Sequence, residues 1–415
     1  MELKYTRRVA VIGGGSSGLA CIKSCLDEGL EPVCYESSDD IGGLWRFKEN
    51  PEPDRASIYH SVIINTSKEM MCFSDFPIPA NFPNYMHNSL IMDYFRMYAD
   101  HFQLTKHIRF NTKVLQVRQR SDFAHSGQWD VETENKDGKT EKHIFDAVMI
   151  CIGHHCHPNL PLHDFPGIDT FEGTYFHSRD YKTPEEWRNK KAVVIGIGNS
   201  GGDIAVELSR VTKQLYLSTR RGAWILNRVG DNGQHPTVND ELPNRILSGT
   251  VQVKPNIRRL QGSSVEFDDG SVVEDVDLVV FPVRDTLSRS TISTTWMIAG
   301  LLGVRPNIPR LLLTDPRLGL KVLFGPSTPY QYRLKGPGKW AGARQAIFTQ
   351  WERVAQPMQT RPCDDPKTKR SFMWPLVLSA AVVGWAAYVN RNNFPAYLQD
   401  PTALLDKMKV YLPAQ

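Results

Sequence analysis

The chain opens with apolar runs separated by a segment of helical spacing. Residues 8–12 form a strand-length apolar run, and the glycine-rich stretch "GGGSSG" follows. Apolar residues then recur at helix spacing from about Ser16, before a second apolar run, "PVCYE". The same order returns at residues 191–221, in "KAVVIGIGNSGGDIAVELS" and "QLYLSTRR". Continuous apolar runs are typical of buried parallel strands, so the pattern predicts an α/β fold with two repeated strand–helix–strand units.

Glycines occupy the GxGxxG spacing in both units. They are Gly13, Gly15 and Gly18 in the first unit and Gly196, Gly198 and Gly201 in the second. Between a strand and a helix, this spacing permits a tight turn, close approach of the backbone to a diphosphate, and close helix–strand packing. The diphosphate would lie on the helix N-terminus, where free N–H groups favour an anion. We therefore predict two doubly wound, Rossmann-like dinucleotide-binding domains.

The tip of the second strand differs between the two units. In the first unit Glu36 closes the strand, where a carboxylate can accept hydrogen bonds from ribose hydroxyls. In the second unit the tip is Thr219, Arg220 and Arg221, and guanidinium groups favour a 2′-phosphate. The first site is therefore predicted to take FAD or NAD, and the second to take NADP.

Each unit is followed by a hairpin and a last apolar strand. Asp137-Gly138 and Asp269-Gly270 are turn signals, and Asp146 and Asp277 precede the apolar runs that close the two halves. Each half is thus predicted to carry a β-hairpin excursion. Two dinucleotide domains in one chain suggest electron transfer from one nucleotide to the other.

Composition narrows the class of protein. The 415 residues are enough for two or three domains, and 41% hydrophobic with 23% charged residues is ordinary globular composition. The 49 basic and 45 acidic residues are spread along the chain, so no nucleic-acid partner is expected. The seven cysteines are odd in number and form no CxxC pairs, so we expect reduced thiols facing the cytosol. No hydrophobic signal segment is recognised near Met1.

A histidine-rich run follows the last strand of the first half. It contains His154, His155, Cys156, His157 and His163. These residue types bind zinc, but adjacent side chains point in different directions and no second ligand cluster is evident. No metal is therefore expected.

The C-terminal region contains a long apolar segment, "FMWPLVLSAAVVGWAAYV", at residues 372–389. Its length is at the lower edge of what spans a bilayer, aromatic residues near its ends suit membrane interfaces, and the preceding basic residues favour the cytoplasmic side. We predict a membrane-anchor helix at residues 371–390. A buried core helix is the alternative, because Pro375 and the marginal length weaken the pattern.

The motifs together resemble one family, the flavin-containing monooxygenases, also described as N-oxide-forming dimethylaniline monooxygenases. The resemblance is carried by "GGGSSGLA", "ESSDDIGGLWRF", "SVIINTSKEMMCFSDFP", "FEGTYFHSRDY", "GIGNSGGD" and "STRRGAWILNRVGD". It is close over residues 8–281, resumes at "GVRPN" and includes "GPGKWAGARQAI". The third stretch is most similar to the vertebrate isoform-five branch.

The resemblance implies a reaction, its cofactors and a location. NADPH would reduce FAD, the reduced flavin would capture O₂ as a C4a-hydroperoxide, and one oxygen atom would pass to a small substrate. Soft nitrogen and sulfur nucleophiles are the usual substrates, and the isoform-five branch also inserts oxygen beside ketones. The family implies xenobiotic metabolism at the endoplasmic reticulum membrane with the catalytic part in the cytosol, and a homo-oligomer stays an open alternative.

Spacing and similarity together nominate the cofactor-binding residues. Those expected at FAD are Gly13, Gly14, Gly15, Ser16, Ser17, Gly18, Glu36, Gly43, Leu44, Trp45 and Thr66. Those expected at NADP(H) are Gly196, Gly198, Asn199, Ser200, Gly201, Gly202, Asp203, Thr219, Arg220 and Arg221, with Ile64 and Asn65 near its nicotinamide end. For "GGLW", a turn followed by a core tryptophan is the alternative reading.

Asn65 is the candidate catalytic residue. Its amide can donate to the flavin oxygen adduct or hold NADP⁺ without offering an acidic proton that would release H₂O₂. The alternative is that Asn65 only turns the chain before Ser67, as asparagine often does.

The stretch "FEGTYFHSRDY" carries the family's FxGxxxH signature through Phe171, Gly173 and His177. These residues are expected to position the two domains, and a simple linker is the alternative. The predicted domains are residues 1–170 (FAD), 171–190 (linker), 191–281 (NADP), 282–370 (remainder of the FAD domain), 371–390 (anchor) and 391–415 (tail).

Two places depart from the family pattern and indicate a shortened chain. Only Asn232 and Gly233 separate "RVGD" from "QHPT", where the family has a long insertion. Pro282, Val283 and Arg284 replace a glycine turn, and the strands that normally complete the FAD domain are missing. Such a loss is expected to expose an apolar sheet edge and to remove walls of the substrate cavity. An uncoupled NADPH oxidase and an inactive nucleotide-binding paralogue or splice variant are the rival functions.

Overall fold

Strands and helices alternate in both halves of the chain, and the predicted α/β class is confirmed. The computed structural model describes residues 6–52, 54–153, 156–226, 228, 237–282, 299 and 302–358. The strands are β1 (Arg8–Ile12), β2 (Glu31–Tyr35), β3 (Ile108–Arg109), β4 (Thr112–Gln119), β5 (Trp129–Asn135), β6 (Thr140–Phe145), β7 (Ala147–Ile150), β8 (Thr174–His177), β9 (Lys191–Ile195), β10 (Gln214–Ser218), β11 (Ile225–Leu226), β12 (Thr237–Val238), β13 (Val251–Lys254), β14 (Ile257–Gln261), β15 (Ser264–Phe267), β16 (Val272–Val273) and β17 (Leu278–Phe281). The α-helices are α1 (Ser16–Asp27), α2 (Lys68–Met71), α3 (Asn88–His101), α4 (Phe123–Ser126), α5 (Asn199–Ser209), α6 (Leu242–Leu247), α7 (Ile308–Thr314), α8 (Pro316–Phe324) and α9 (Ala343–Ala355).

Two parallel sheets, one in each half, carry the glycine turns. The first has the order β3-β2-β1-β7 and the second the order β13-β10-β9-β17-β8. In each sheet the strand before the glycine turn lies centrally, so its turn opens at the carboxyl edge. Parallel central strands are covered on both faces, which explains why β1 and β9 read as continuous apolar runs.

A three-stranded antiparallel excursion accompanies each sheet, in the orders β4-β5-β6 and β14-β15-β16. Gly138 and Gly270, the second residues of the predicted Asp-Gly turns, have φ angles of 74° and 78°. Positive φ favours glycine at these turns. The predicted hairpins are confirmed, and each gains a third strand that precedes it.

The aspartates ahead of β7 and β17 make the same contact in the two halves. The backbone amide of Arg8 donates to Oδ2 of Asp146 (2.8 Å), and the amide of Lys191 donates to Oδ2 of Asp277 (2.9 Å). Each aspartate therefore joins the start of the last strand to the start of the first one, which extends the internal repeat beyond the glycine turns.

The helices after residue 302 return to the first half. Leu318, Tyr330 and Ile347 are buried in the same apolar core as Leu19 of α1. An ion pair holds them there, because the guanidinium of Arg353 donates to both carboxylate oxygens of buried Glu69 at 2.6 and 2.9 Å. The first half thus includes a late part of the chain.

Some predictions fall on residues that the structure does not describe. They are the membrane helix at residues 371–390, the tail at 391–415, the departure at residues 232–233, and residues 283–284 of the second departure. Among the described residues, no helix is both long and apolar enough to cross a membrane.

Candidate functional site

The first glycine turn lies between β1 and α1 and leaves no room for side chains. Gly13 has a φ of +102°, and a β-carbon there would lie 2.6 Å from the carbonyl oxygen of Cys151. A β-carbon on Gly18 would overlap the carbonyl oxygen of Gly13. Gly15 caps α1, and no described side chain accepts from the first N–H groups of this helix. Those donors can therefore bind an anion such as a diphosphate.

The "GGLW" segment docks on this turn. The amide of Gly42 donates to the carbonyl of Gly14 (3.1 Å), and a β-carbon on Gly43 would lie 3.1 Å from Cα of Gly15. Leu44 and Trp45 complete a 3-10 turn, Gly43–Trp45, and are partly buried. The structure thus brings together two groups of predicted FAD residues that are far apart in sequence.

Glu36 is buried beside the same turn. Its Oε2 accepts from the amide of Gly14 (2.6 Å), and its Oε1 accepts from the amide (2.9 Å) and hydroxyl (2.8 Å) of Ser38. The carboxylate therefore holds the loop in shape. A carboxylate has about four acceptor positions, so capacity remains for a ribose hydroxyl, and that role stays a prediction.

The second glycine turn opens into a cavity of about 830 Å³. Gly196 has a φ of +101°, and a β-carbon on Gly201 would overlap its carbonyl oxygen, as in the first turn. The lining residues are Pro161, Asp164, Phe165, Ile195, Gly196, Ile197, Gly198, Ser218, Thr219, Arg220, Arg221, Gly222, Asn256 and Pro282. A volume of this size is typical of cofactor pockets. Gly196 and Gly198 therefore line one space together with the predicted strand-tip residues Thr219, Arg220 and Arg221.

The two arginines at the tip of β10 face this cavity. Arg220 and Arg221 are both exposed, and neither forms an ion pair within the described part of the chain. The hydroxyl of Thr219 accepts from the amide of Gly222 (3.1 Å), which shapes the loop that carries them. Unpaired guanidinium groups at this position suit a phosphate.

The side chains of Asn199 and Asp203, both predicted to contact NADP(H), form hydrogen bonds with other residues of the chain. Oδ1 of Asn199 accepts from the amide of Val238 (2.8 Å). The carboxylate of Asp203 accepts from the hydroxyl of Tyr59 (2.7 Å) and from Nδ2 of Asn239 (2.8 Å). Burial raises the pKa of Asp203, and the hydrogen bond from Tyr59 opposes the shift. Their cofactor contacts stay predictions. So do the contacts predicted for Ser200 and Thr66, which are exposed, and for Gly202 and Ile64, which are buried.

Asn65 is held by a residue that the sequence analysis did not assign. Nη2 of Arg228 donates to Oδ1 of Asn65 (2.9 Å), while Nη1 of Arg228 binds Asp240 (2.6 Å). A guanidinium has no acceptor, so the amide oxygen must face it and the NH₂ group is left to donate elsewhere. Arg228 and Tyr59 both join the first half to the second.

The FxGxxxH segment is a strand as well as a connection. Thr174–His177 forms β8, which pairs in parallel with β17 and places His177 opposite Phe281. A β-carbon on Gly173 would lie 2.5 Å from the ring of Phe171 and 2.8 Å from the carbonyl of Val276, so this position requires glycine.

The residues after β8 attach it to the first half. Nδ1 of His177 accepts from the amide of Arg179 (3.1 Å). The guanidinium of Arg179 donates to the carbonyls of Arg55 (2.6 Å) and Glu52 (3.1 Å). The segment therefore connects the halves through defined hydrogen bonds, and the positioning roles of Phe171, Gly173 and His177 stay predictions.

The histidine run adds no ligand cluster in the described ranges. His154 and His155 lie outside them, and no three His, Cys, Asp or Glu side chains of the described residues converge on a metal position.

Comparison with known proteins identifies what the chain resembles. The family model for flavin-binding monooxygenase-like proteins matches residues 6–235, 232–292 and 283–390. Flavin-containing monooxygenase 5 of Cavia porcellus is 42% identical, with 92% of this chain and 99% of the relative covered. Flavin-containing monooxygenase 3 of Macaca mulatta is 38% identical, with 91% and 99% covered.

Solved structures share the fold. S-allyl-L-cysteine S-oxygenase from Allium sativum has a TM-score of 0.56 at 20% identity and covers 98% of this chain and 99% of its own. An NADP⁺-bound cyclohexanone monooxygenase mutant from Rhodococcus has a TM-score of 0.52 at 17% identity, covering 68% and 72%.

The alignments also locate the shortening. The alignment with the Cavia relative spans 531 positions, more than the 415 residues of the chain, so the chain lacks segments that this relative has. The family model breaks near residues 232–235 and 283–292. These are the two places where the sequence departs from the pattern, and the predicted shortening is confirmed.

Proposed function

Because the chain belongs to the flavin-binding monooxygenase-like family, we propose that it is an NADPH-dependent monooxygenase whose first half holds FAD and whose second half holds NADP(H). One observation carries this assignment. The strand tips beside the two glycine turns carry opposite charges. The tip in the first half carries the buried carboxylate of Glu36, and the tip in the second half carries the exposed guanidinium groups of Arg220 and Arg221.

The first turn fits a flavin dinucleotide. The uncapped start of α1 would bind the diphosphate, and the docked Gly43–Trp45 segment would lie along it. When bound, FAD supplies the redox chemistry, accepting a hydride from NADPH and activating O₂ so that one oxygen atom is added to the substrate.

The second turn fits NADP(H). The start of α5 also has a glycine cap and no side-chain acceptor among the described residues, so its N–H groups would bind the diphosphate. Arg220 and Arg221 would bind the 2′-phosphate, which NADH lacks.

Asn65 would act as a neutral hydrogen-bond donor at the junction of the halves. Arg228 fixes its oxygen, so the NH₂ group can hold the nicotinamide end of NADP⁺ or the reacting oxygen without supplying an acidic proton. Arg228 is therefore proposed as a positioning residue for Asn65.

The substrates are proposed to be small, soft nitrogen or sulfur nucleophiles, or ketones that undergo Baeyer–Villiger insertion. To test this, the full-length chain, purified in detergent, would be incubated with NADPH and O₂ together with one candidate substrate: a thioether, a tertiary amine or an aliphatic ketone. We expect a yellow protein and oxygenated product in proportion to the NADPH consumed. A colourless protein that leaves NADPH unchanged would contradict the proposal and support an inactive paralogue.

A second candidate is an uncoupled NADPH oxidase. Two apolar residues beside the first glycine turn favour it, because they are open to water: Ile150, the last residue of β7, is 71% exposed, and Ile152 is 59% exposed. In that case H₂O₂ would match NADPH consumption and no oxygenated product would form.

We also propose that residues 371–390 anchor the chain in the endoplasmic reticulum membrane, with both halves in the cytosol, where xenobiotic substrates are available. The apolar sequence and its flanking basic residues support this. A chain that ends at residue 359 should leave the membrane fraction, whereas the full chain should stay with it after washing with high salt. Release of both would contradict the anchor.

The domain division 1–170, 171–190, 191–281 and 282–370 is likewise proposed. Packing of α8 and α9 in the core of the first half supports the return of residues 282–370 to the FAD domain.

A further inference from the structure

Two thiols meet behind the first glycine turn. Sγ of Cys151 lies 3.5 Å from Sγ of Cys21, although 130 residues separate them in sequence. Both are free and partly exposed, whereas Cys25 and Cys34 nearby are free and buried. A disulfide requires sulfurs about 2.05 Å apart, so the two sulfurs must approach each other by roughly 1.5 Å to bond.

The pair connects the two walls of the turn. Cys21 belongs to α1, the helix whose start would bind the diphosphate. Cys151 directly follows β7, and its amide donates to the carbonyl of Ile12 at the end of β1 (2.8 Å). A bond between the sulfurs would therefore tie the helix to an edge strand that otherwise pairs with β1 alone among the described strands.

The two thiols differ in reactivity. The hydrogen bond from Cys151 lowers the pKa of Cys21 to about 7, and burial opposes this shift. The same hydrogen bond, with burial, raises the pKa of Cys151. Cys21 is therefore the thiol of the pair that more readily loses its proton to give the thiolate, the form that reacts with peroxides, and Cys151 keeps its proton. Burial raises the pKa of Cys34 to about 12, so that thiol stays unreactive.

We propose that Cys21 and Cys151 form a reversible disulfide in response to hydrogen peroxide. The Cys21 thiolate attacks one peroxide oxygen, the O–O bond breaks, and a sulfenic acid and a hydroxide ion result. The Cys151 sulfur then attacks the sulfenic sulfur, the S–S bond forms, and the hydroxyl group leaves with the Cys151 proton as water. The two sulfurs lose two electrons and one peroxide is reduced.

The disulfide would stabilise the first half. It closes a loop of 130 residues and links the end of β7 covalently to α1. Closing a loop of this length restricts the unfolded chain, so the unfolding temperature should rise by on the order of 5 °C.

The test is disulfide mapping on the full chain. Purified protein is treated with H₂O₂, its remaining thiols are alkylated, and the digest is analysed by mass spectrometry with and without dithiothreitol. We expect a linked peptide pair containing Cys21 and Cys151 that dithiothreitol separates, and a higher unfolding temperature by circular dichroism that dithiothreitol reverses.

Variants provide the controls. Cys21→Ser and Cys151→Ser should lose the linked pair and the temperature shift. Cys156→Ser, which removes a partly exposed thiol that donates to the carbonyl of Ile152 (3.5 Å), should retain both. Disulfide mapping of the wild-type protein tests the proposal even if a variant folds poorly. Recovery of both thiols as alkylated peptides, irreversible sulfinic acid at Cys21, or a bond from either residue to Cys25 or Cys34 would overturn the proposal.

Discussion

In the second half, β17 lies between β9 and β8, and all four of its residues are buried. In the first half, its counterpart β7 pairs with β1 alone among the described strands, and Met149 and Ile150 are 42% and 71% exposed. The first glycine of each turn has nearly the same positive φ, and the aspartate that precedes each strand makes the same contact in the two halves.

The difference shows what completes a parallel sheet. The side chains of a parallel strand are apolar because both faces of the sheet are covered. Its backbone N–H and C=O groups are all paired only when a strand lies on each side of it. The FxGxxxH segment supplies the missing neighbour in the second half as β8, whereas the described part of the first half contains no such strand. Among the described residues, the first half is instead completed by the helices after residue 302, which pack in its core.

The largest expected effect tests the buried strand against the open one. Phe281 and Ile150 are the last residues of β17 and β7, and Phe281 is fully buried. Phe281→Ala should lower the free energy of unfolding by about 3–5 kcal/mol, because it leaves a cavity in a packed core. Ile150→Ala should change it by less than about 1 kcal/mol, because most of that side chain is already in water. Urea unfolding followed by fluorescence measures both, and equal losses would show that β7 is covered in solution.

A smaller effect tests the opposite charges of the two sites. Replacing Arg220 and Arg221 together by alanine should raise KM for NADPH roughly 100-fold and leave KM for NADH nearly unchanged, because two charge-assisted contacts to a phosphate are lost. Arg188→Ala is the matched control, since this exposed arginine pairs with Glu185 and does not line the cavity.

The first half should respond differently. Glu36→Gln should weaken FAD retention during gel filtration without changing the preference for NADPH over NADH. If instead that preference changes with Glu36 and not with the arginines, the two sites have been assigned in the wrong order.

The smallest effect tests the contact between the halves. Arg228→Lys should lower the product formed per NADPH and raise the ratio of H₂O₂ to product about 10-fold, because Asn65 loses one charge-assisted hydrogen bond. Arg245→Lys is the control, since Arg245 binds Glu241 and is not bonded to Asn65. Unchanged coupling in Arg228→Lys would show that the orientation of Asn65 does not depend on this contact.

Local patterns predicted the frame of the fold. The glycine turns, the strands beside them and the Asp-Gly hairpins were predicted because each depends on a few consecutive residues. Glycine at residues 13 and 196, for example, is required by a positive φ that the spacing indicates.

Contacts between distant residues could not be predicted in this way. Arg228 and Asn65 are 163 residues apart, Tyr59 and Asp203 are 144 apart, and no periodicity links them. The same holds for β8, which the sequence presents as a linker because its strand character depends on pairing with β17. The thiol pair was missed because irregular cysteine spacing gives no information on which sulfurs meet.

Anaerobic reduction of the purified holoprotein tests most directly whether the second half delivers a hydride from NADPH to a flavin in the first. The flavin absorbance is followed while NADPH or NADH is added without oxygen, so that hydride transfer between the halves is measured apart from any oxygen chemistry. We expect one equivalent of NADPH per flavin to bleach the yellow colour and NADH to do so far more slowly. A protein that binds flavin but is not bleached by NADPH would contradict the assignment of the second half to NADP(H) and of the chain to an NADPH-dependent monooxygenase.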